Sequence, residues 1–222
     1  TTAHEAECLV GAGVKRWVQG DDIRDADGFF EEKSWQFGHL SYSLKASLHG
    51  LPNTKADKVG FSPYCLFSPQ VVLQLKEASL TIYADDPGLV FRQLSEQPAS
   101  TATVATPFFH IIPVLSREEY IQKIKALQAH ILRGDCYEIN FCQEFFAEDV
   151  ALDPFAVFQN LMAVSPNPFS AFYRQGDSFL LCASPERFLA RRGNRLLSQP
   201  IKGTSKRDLA NLGEDARLKD SL

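Results

Sequence analysis

The chain has 222 residues, 45% of them hydrophobic and 23% charged, with 13 glycines and 12 prolines; at roughly 150 residues per domain this is one to two domains with a sizeable core, which excludes a disordered, collagenous or coiled-coil protein. Its 23 basic and 27 acidic residues give a net charge of −4, so no global basic field recruits nucleic acid or anionic lipid. No apolar run approaches the roughly 18 residues of a membrane span, and residues 1–5 lack a signal peptide's basic-then-apolar layout; a soluble, cytoplasmic protein is expected.

Apolar patterning is already under way at Cys8-Leu9-Val10. Alternation over residues 35–44 predicts a strand, with Trp35, Phe37, His39, Ser41 and Ser43 on one face and Gly38, Leu40, Tyr42 and Leu44 on the other. Residues 51–62 are a polar connection, and 71–75 with 78–83 predict a strand pair. Asp85-Asp86-Pro87-Gly88 breaks the pattern or starts a short helix. Residues 97–106 carry few large apolar side chains and predict a mobile loop.

Ser116-Arg117-Glu118-Glu119 is a capping box: the serine oxygen takes a free backbone N–H and the last glutamate reaches back to the serine amide. Tyr120, Ile124, Leu127 and Ile131 follow on one helical face, and Gly134 supplies a left-handed stop. From 137 to 145 the period changes to two, which predicts a half-buried strand. Asp153-Pro154 opens a second helix with Phe155, Phe158, Leu161 and Met162 on its inner face. Three strand-like runs follow, 170–174, 179–182 and 187–191, with tight turns at Gly176-Asp177 and Gly193-Asn194. Helices interspersed with antiparallel hairpins predict an α+β fold rather than a parallel doubly wound sheet. Both ends of the sequence read as cut, the second within the start of a helix at Lys219-Asp220-Ser221-Leu222.

The five cysteines (Cys8, Cys65, Cys136, Cys142 and Cys182) show no Cys-x-x-Cys spacing and read as free, buried thiols in a reducing compartment. The five scattered histidines give no zinc pattern, and Gly11-Ala12-Gly13-Val14 is too short for a phosphate loop.

Three stretches could carry chemistry. In Pro200-Ile201-Lys202-Gly203-Thr204 a lysine follows the apolar Leu196-Leu197 strand, beside a glycine that lets a ligand approach the backbone and a threonine hydroxyl. An ordinary lysine is only about 0.04% free amine at pH 7, so nucleophilic work requires burial or neighbouring cations; a surface lysine in a turn is the alternative. In Ser184-Pro185-Glu186-Arg187-Phe188 a carboxyl lies just past an apolar run. Entry into an apolar pocket would suit it to general acid work, whereas pairing with Arg187, Arg191 or Arg192 would make it structural. A hairpin turning at Gly193-Asn194 would bring Glu186 and Lys202 onto adjacent strands. The third stretch, Gly134-Asp135-Cys136-Tyr137-Glu138-Ile139-Asn140, reads locally as a helix stop followed by a strand.

Taken together, these motifs resemble the chorismate-utilising enzymes, and within them the branch of aminodeoxychorismate (para-aminobenzoate) synthase component I. Phe37-Gly38-His39-Leu40-Ser41-Tyr42-Ser43-Leu44-Lys45 is similar to that family's amino-terminal Gly-Tyr-Leu-Ser-Tyr-Asp-Leu segment. The resemblance implies part of a four-layer α/β/β/α sandwich with large antiparallel sheets, in the manner of anthranilate synthase component I. It implies one chorismate-binding domain over 1–222, incomplete, with an amino-terminal portion at 1–106 and the start of a catalytic core at 107–222. It further implies Lys202 as a nucleophile that adds to C2 of chorismate, Glu186 as the general acid, and Gly203 and Thr204 as substrate contacts. Anthranilate synthases, similar otherwise, carry alanine at the Lys202 position. The implied cofactor is Mg2+, with its glutamates expected beyond Leu222. The implied partner is a glutamine amidotransferase subunit that supplies ammonia, and the implied product serves folate synthesis. Two departures stand out: Glu138 replaces the family's usual glutamine, and in Ser165-Pro166-Asn167-Pro168-Phe169-Ser170-Ala171-Phe172, similar to a segment that helps bind regulatory tryptophan in anthranilate synthases, Ser170 replaces a methionine. An anthranilate or isochorismate synthase-like enzyme and a non-catalytic binding module are the other readings.

Overall fold

Strand β1 (Glu7–Ala12) pairs antiparallel with β5 (Val71–Lys76), which pairs in turn with β6 (Ser79–Tyr83). A second antiparallel sheet has the order β2 (Arg16–Gly20), β4 (Tyr64–Ser68), β3 (Phe37–Leu40). The computed structural model describes residues 7–54, 57–98, 109–199, 211, 213 and 217. The expected mobile loop at 97–106 therefore falls largely outside the described residues. Lys202, Gly203 and Thr204 fall outside them too, as does the chain end at 219–222.

Between β2 and β3 the chain makes a 3-10 turn (Ile23–Ala26) and the short helix α1 (Asp27–Phe30). Asp22 caps the turn from its side chain, and its ion pair with Arg24 holds its carboxyl below the usual range. Ala26 and Phe29 are buried there with Leu44, Tyr64 and Leu66, and Val18 and Ile23 pack against the cluster. Burying one side chain the size of Phe29 stabilises by about 1.5–3 kcal/mol.

The β4 residues alternate as a strand requires. Tyr64 and Leu66 join this core, while Cys65 and Phe67 lie on the opposite face beside Gln19 and Trp17 of β2 and His39 and Phe37 of β3. Gly38 explains why β3 can lie so close to β4. Its φ is +152°, and a Cβ there would collide with the carbonyl oxygen of Cys65.

The strand expected over 35–44 ends at Leu40. Ser41 caps a 3-10 turn (Tyr42–Leu44), accepting from the Ser43 amide, and helix α2 (Lys45–His49) follows to a left-handed Gly50. The local cap wins over the apolar alternation, because serine offers the backbone a hydrogen bond that a strand would not. The predicted 71–83 strand pair is observed as β5 and β6, and Asp86 caps helix α3 (Pro87–Glu96).

Beyond 108, a short ladder joins β7 (Ile112–Pro113) to β8 (Phe145–Phe146). Helix α4 (Arg117–Arg133) has the full capping box, and Gly134 ends it at φ +86°. The strand predicted over 137–145 is not formed. Only Phe145 and Phe146 pair, because residues 137–144 have the strand period but no ladder partner among the described residues. Tyr137, expected on the buried side, is 91% exposed.

Asp153 caps α5 (Pro154–Val164) through its carboxylate to the amides of Phe155 and Ala156. Phe158, Leu161 and Met162 are half-buried, but Phe155 is exposed and does not join them. Hairpin β9 (Phe169–Gln175) with β10 (Ser178–Ser184) turns at Gly176, and β11 (Arg187–Arg192) with β12 (Arg195–Gln199) turns at Gly193.

The chain divides into two compact units, Thr1–Thr101 with Phe158–Leu222, and Ala102–Val157. The fold is α+β with antiparallel sheets, as expected. All five cysteines are free, but only Cys65 is buried; Cys8 and Cys142 are exposed and Cys136 and Cys182 intermediate, because apolar sequence neighbours do not guarantee that a strand or loop face is covered.

Candidate active site

Strand β10 ends at Ser184, and the chain turns through Pro185 and Glu186 into β11. Ser184 Oγ donates to the Glu186 carbonyl at 2.9 Å, and the Glu186 amide donates back to Ser184 Oγ at 3.3 Å. Pro185 has no N–H, so it suits this corner, where no ladder bond is made. Glu186 is exposed. It does not enter an apolar pocket among the described residues, because Phe179–Ala183 are spent on the β9–β10 hairpin rather than on a wall around it.

Arg187, the first residue of β11, is paired in register with Gln199, the last residue of β12. The hairpin thus closes its open end on the two motifs: Glu186 directly precedes one member of that pair and Pro200 directly follows the other. Arg187 is occupied elsewhere, its guanidinium 4.7 Å over the Phe169 ring, and Arg191 donates to the carbonyl of the turn residue Gly193 at 2.9 Å. The side chains of both cations are thus spent on the fold. Phe188, next to Arg187, is 91% exposed, and Leu196, opposite Arg191 near the Gly193 turn, is 68% exposed.

The Gly134–Asn140 stretch is a helix stop. Asp135 gathers Arg133 and His130, whose Nδ1 lies 2.7 Å away, and these hydrogen bonds, Arg133 first, hold its carboxyl below the usual range. Asn167, in the segment similar to the tryptophan-binding one, donates to Ser165 and to the Ala183 carbonyl, and Ser170 Oγ donates to the Asn167 carbonyl at 2.7 Å. These bonds tie the entry of β9 to the end of β10.

Magnesium takes hard oxygen ligands. Among the described residues no three His, Cys, Asp or Glu side chains converge. Among them, too, no helix is long and apolar enough to cross a membrane.

Sequence reasoning missed the outer face of the β2–β4–β3 sheet. Tyr173 of β9 packs edge-on to His39 at 5.3 Å, and Gln175 donates to Gln19 at 2.7 Å. Burial, reinforced by a hydrogen bond with Cys65, pushes the Tyr173 phenol well above its ordinary pKa and keeps it neutral. Alternation along β9 does put Tyr173 and Gln175 on one side, but nothing local names partners more than 100 residues away.

The profile of the chorismate binding enzyme family matches residues 3–222, and the chain belongs to that family. Within it, the chain is 38% identical over 149 residues to aminodeoxychorismate synthase component 1 of Klebsiella aerogenes, covering 67% of this chain and 32% of that protein. It is 27% identical over 191 residues to an anthranilate synthase component I-like protein of Synechocystis, covering 83% and 39%. The fold is similar to that of anthranilate synthase component I from Streptococcus pneumoniae, with a TM-score of 0.74 at 14% identity over 88% of this chain and 54% of that one. The chain thus spans between a third and two-fifths of the length of these curated relatives.

Proposed function

We propose that the protein carrying this chain is an aminodeoxychorismate synthase component I, which converts chorismate and ammonia to 4-amino-4-deoxychorismate for para-aminobenzoate and folate synthesis. The observation that supports this reading is the Arg187–Gln199 pair, with Glu186 directly before one member and the Pro200–Thr204 motif directly after the other in sequence. The 38% identity to an aminodeoxychorismate synthase component 1 supports the same branch.

In this mechanism the Lys202 amine adds to C2 of chorismate. The two ring double bonds shift, and the C4 hydroxyl leaves as water with a proton from Glu186. Ammonia then adds at C4, the double bonds shift back, and the lysine departs with a returned proton, so the net change is water for ammonia. Gly203 and Thr204 would contact the substrate, the glycine by allowing close backbone approach. Ammonia would come from a glutamine amidotransferase subunit. Magnesium is the expected cofactor.

The test is product identity. Chorismate, ammonium and magnesium incubated with the protein should yield aminodeoxychorismate by mass. Anthranilate instead would move the assignment to the anthranilate synthase branch, which the Synechocystis relative favours. Chorismate binding without any product would make the chain a binding module.

A further inference from the structure

On the outer face of the β2–β4–β3 sheet lies a cavity of about 410 Å³, within the range of small-molecule sites. Its described lining includes no residue of Ser184–Phe188 or of 165–172, so a ligand here is distinct from the chemistry assigned to Glu186. Its walls are the rings of Trp17, Phe67 and Tyr173. Trp17 is 57% exposed, an uncovered indole beside the opening. One side is kept open by glycine. Gly13 sits at φ +68°, where a side chain would strike Gln70, and a Cβ on Gly11 would press on Phe37 at 3.0 Å.

The polar groups are two amides. Gln175 Nε2 donates to Gln19 Oε1, while Gln175 Oε1 is buried with no hydrogen-bond partner. The pair therefore keeps one donor, on Gln19, and one acceptor, on Gln175. Turning both amides over exchanges the two roles but leaves the same donor and acceptor. The last torsion of a glutamine is soft, so the pair can present both to a ligand. The one charged residue of the described lining, Arg174, is held over the Phe179 ring at 5.3 Å and donates to the Gly176 carbonyl at 2.8 Å, so its guanidinium is engaged by neighbouring groups.

We propose that this cavity is a binding site for a neutral, planar fused-ring lactam, of the quinazolinone or purinone type. The ring stacks on Trp17, and its adjacent N–H and C=O meet the Gln19–Gln175 pair. A buried acceptor left unpaired is costly, and a ligand N–H relieves it. Aromatic walls supply the remainder through face and edge contacts.

The probe is quinazolin-4(3H)-one against its N3-methyl derivative, the same ring without the N–H. Binding to the whole chain is read from the Trp17 indole 15N–1H resonance. The parent should shift that resonance and bind at least about tenfold tighter than the methyl compound. Gln175→Leu should erase the preference while the far-ultraviolet circular dichroism is unchanged; Gln19→Leu serves if that variant does not fold. Equal binding of the two compounds, no shift at Trp17, or a preference that survives both substitutions would overturn the site. An equal response to L-tryptophan, which carries two charges, would overturn the neutral class of ligand.

Discussion

At the residue scale the proposed function turns on Glu186. If it is the proposed general acid, it should contribute a factor on the order of 10²–10⁴, typical of positioned proton transfer. Glu186→Gln is expected to lower kcat by that factor and flatten one limb of the pH–rate profile, whereas a purely structural glutamate would leave the profile's shape intact. Gly38 is the corresponding residue for the fold. Because any Cβ meets the Cys65 carbonyl oxygen, Gly38→Ala should destabilise the chain by on the order of 3 kcal/mol or more, measured as a fall in the urea midpoint. Individual residues were unevenly legible in the sequence. Gly38 could be placed in a motif but its collision partner could not, since Cys65 is brought beside it only by the β3–β4 register.

Helix α4 is where local sequence is most informative. Its capping box and its glycine stop lie within 19 residues and both are formed, while of its apolar stripe Ile124 and Leu127 are half-buried and Tyr120 and Ile131 are exposed. Ser116→Ala should cost about 1 kcal/mol, the usual worth of such a cap, read from thermal unfolding. Hydrogen bonds from the Ser116 amide and hydroxyl hold the Glu119 carboxyl below its ordinary range, as Arg133 and His130 do for Asp135. Both folded pKa values lie below the unfolded ones, so their stabilisation is complete above about pH 4 and is lost as pH falls through the lowered values. Circular dichroism at 222 nm followed into acid should show a loss of helix below pH 4 that Glu119→Gln with Asp135→Asn diminishes. The 137–145 stretch is the counter-example. It has the period of a strand, yet only its last residue pairs, because a strand needs a neighbour and periodicity names none.

At the scale of the whole molecule, hairpins could be read from their turns, but the sheets that assemble them could not. The β2–β4–β3 order and the Gln19–Gln175 bond join residues 24 to 156 positions apart, beyond any local pattern. The chain also leaves large apolar side chains on strand faces, Phe188 and Leu196 among them, and spans about a third of its aminodeoxychorismate synthase relative. Family membership was legible because the site motifs are short, contiguous and chemically unusual. The placement of Lys202, Gly203 and Thr204 lies outside the described residues, so their roles rest on those motifs and on the hairpin that leads into them.

The proposed role of Lys202 as nucleophile is central, and one comparison tests it most directly. The protein carrying this chain, with chorismate, ammonium and magnesium, should form aminodeoxychorismate at a rate that Lys202→Ala lowers on the order of a thousandfold or more, with the folded-state circular dichroism unchanged. Aminodeoxychorismate formed by Lys202→Ala at the unsubstituted rate would contradict it.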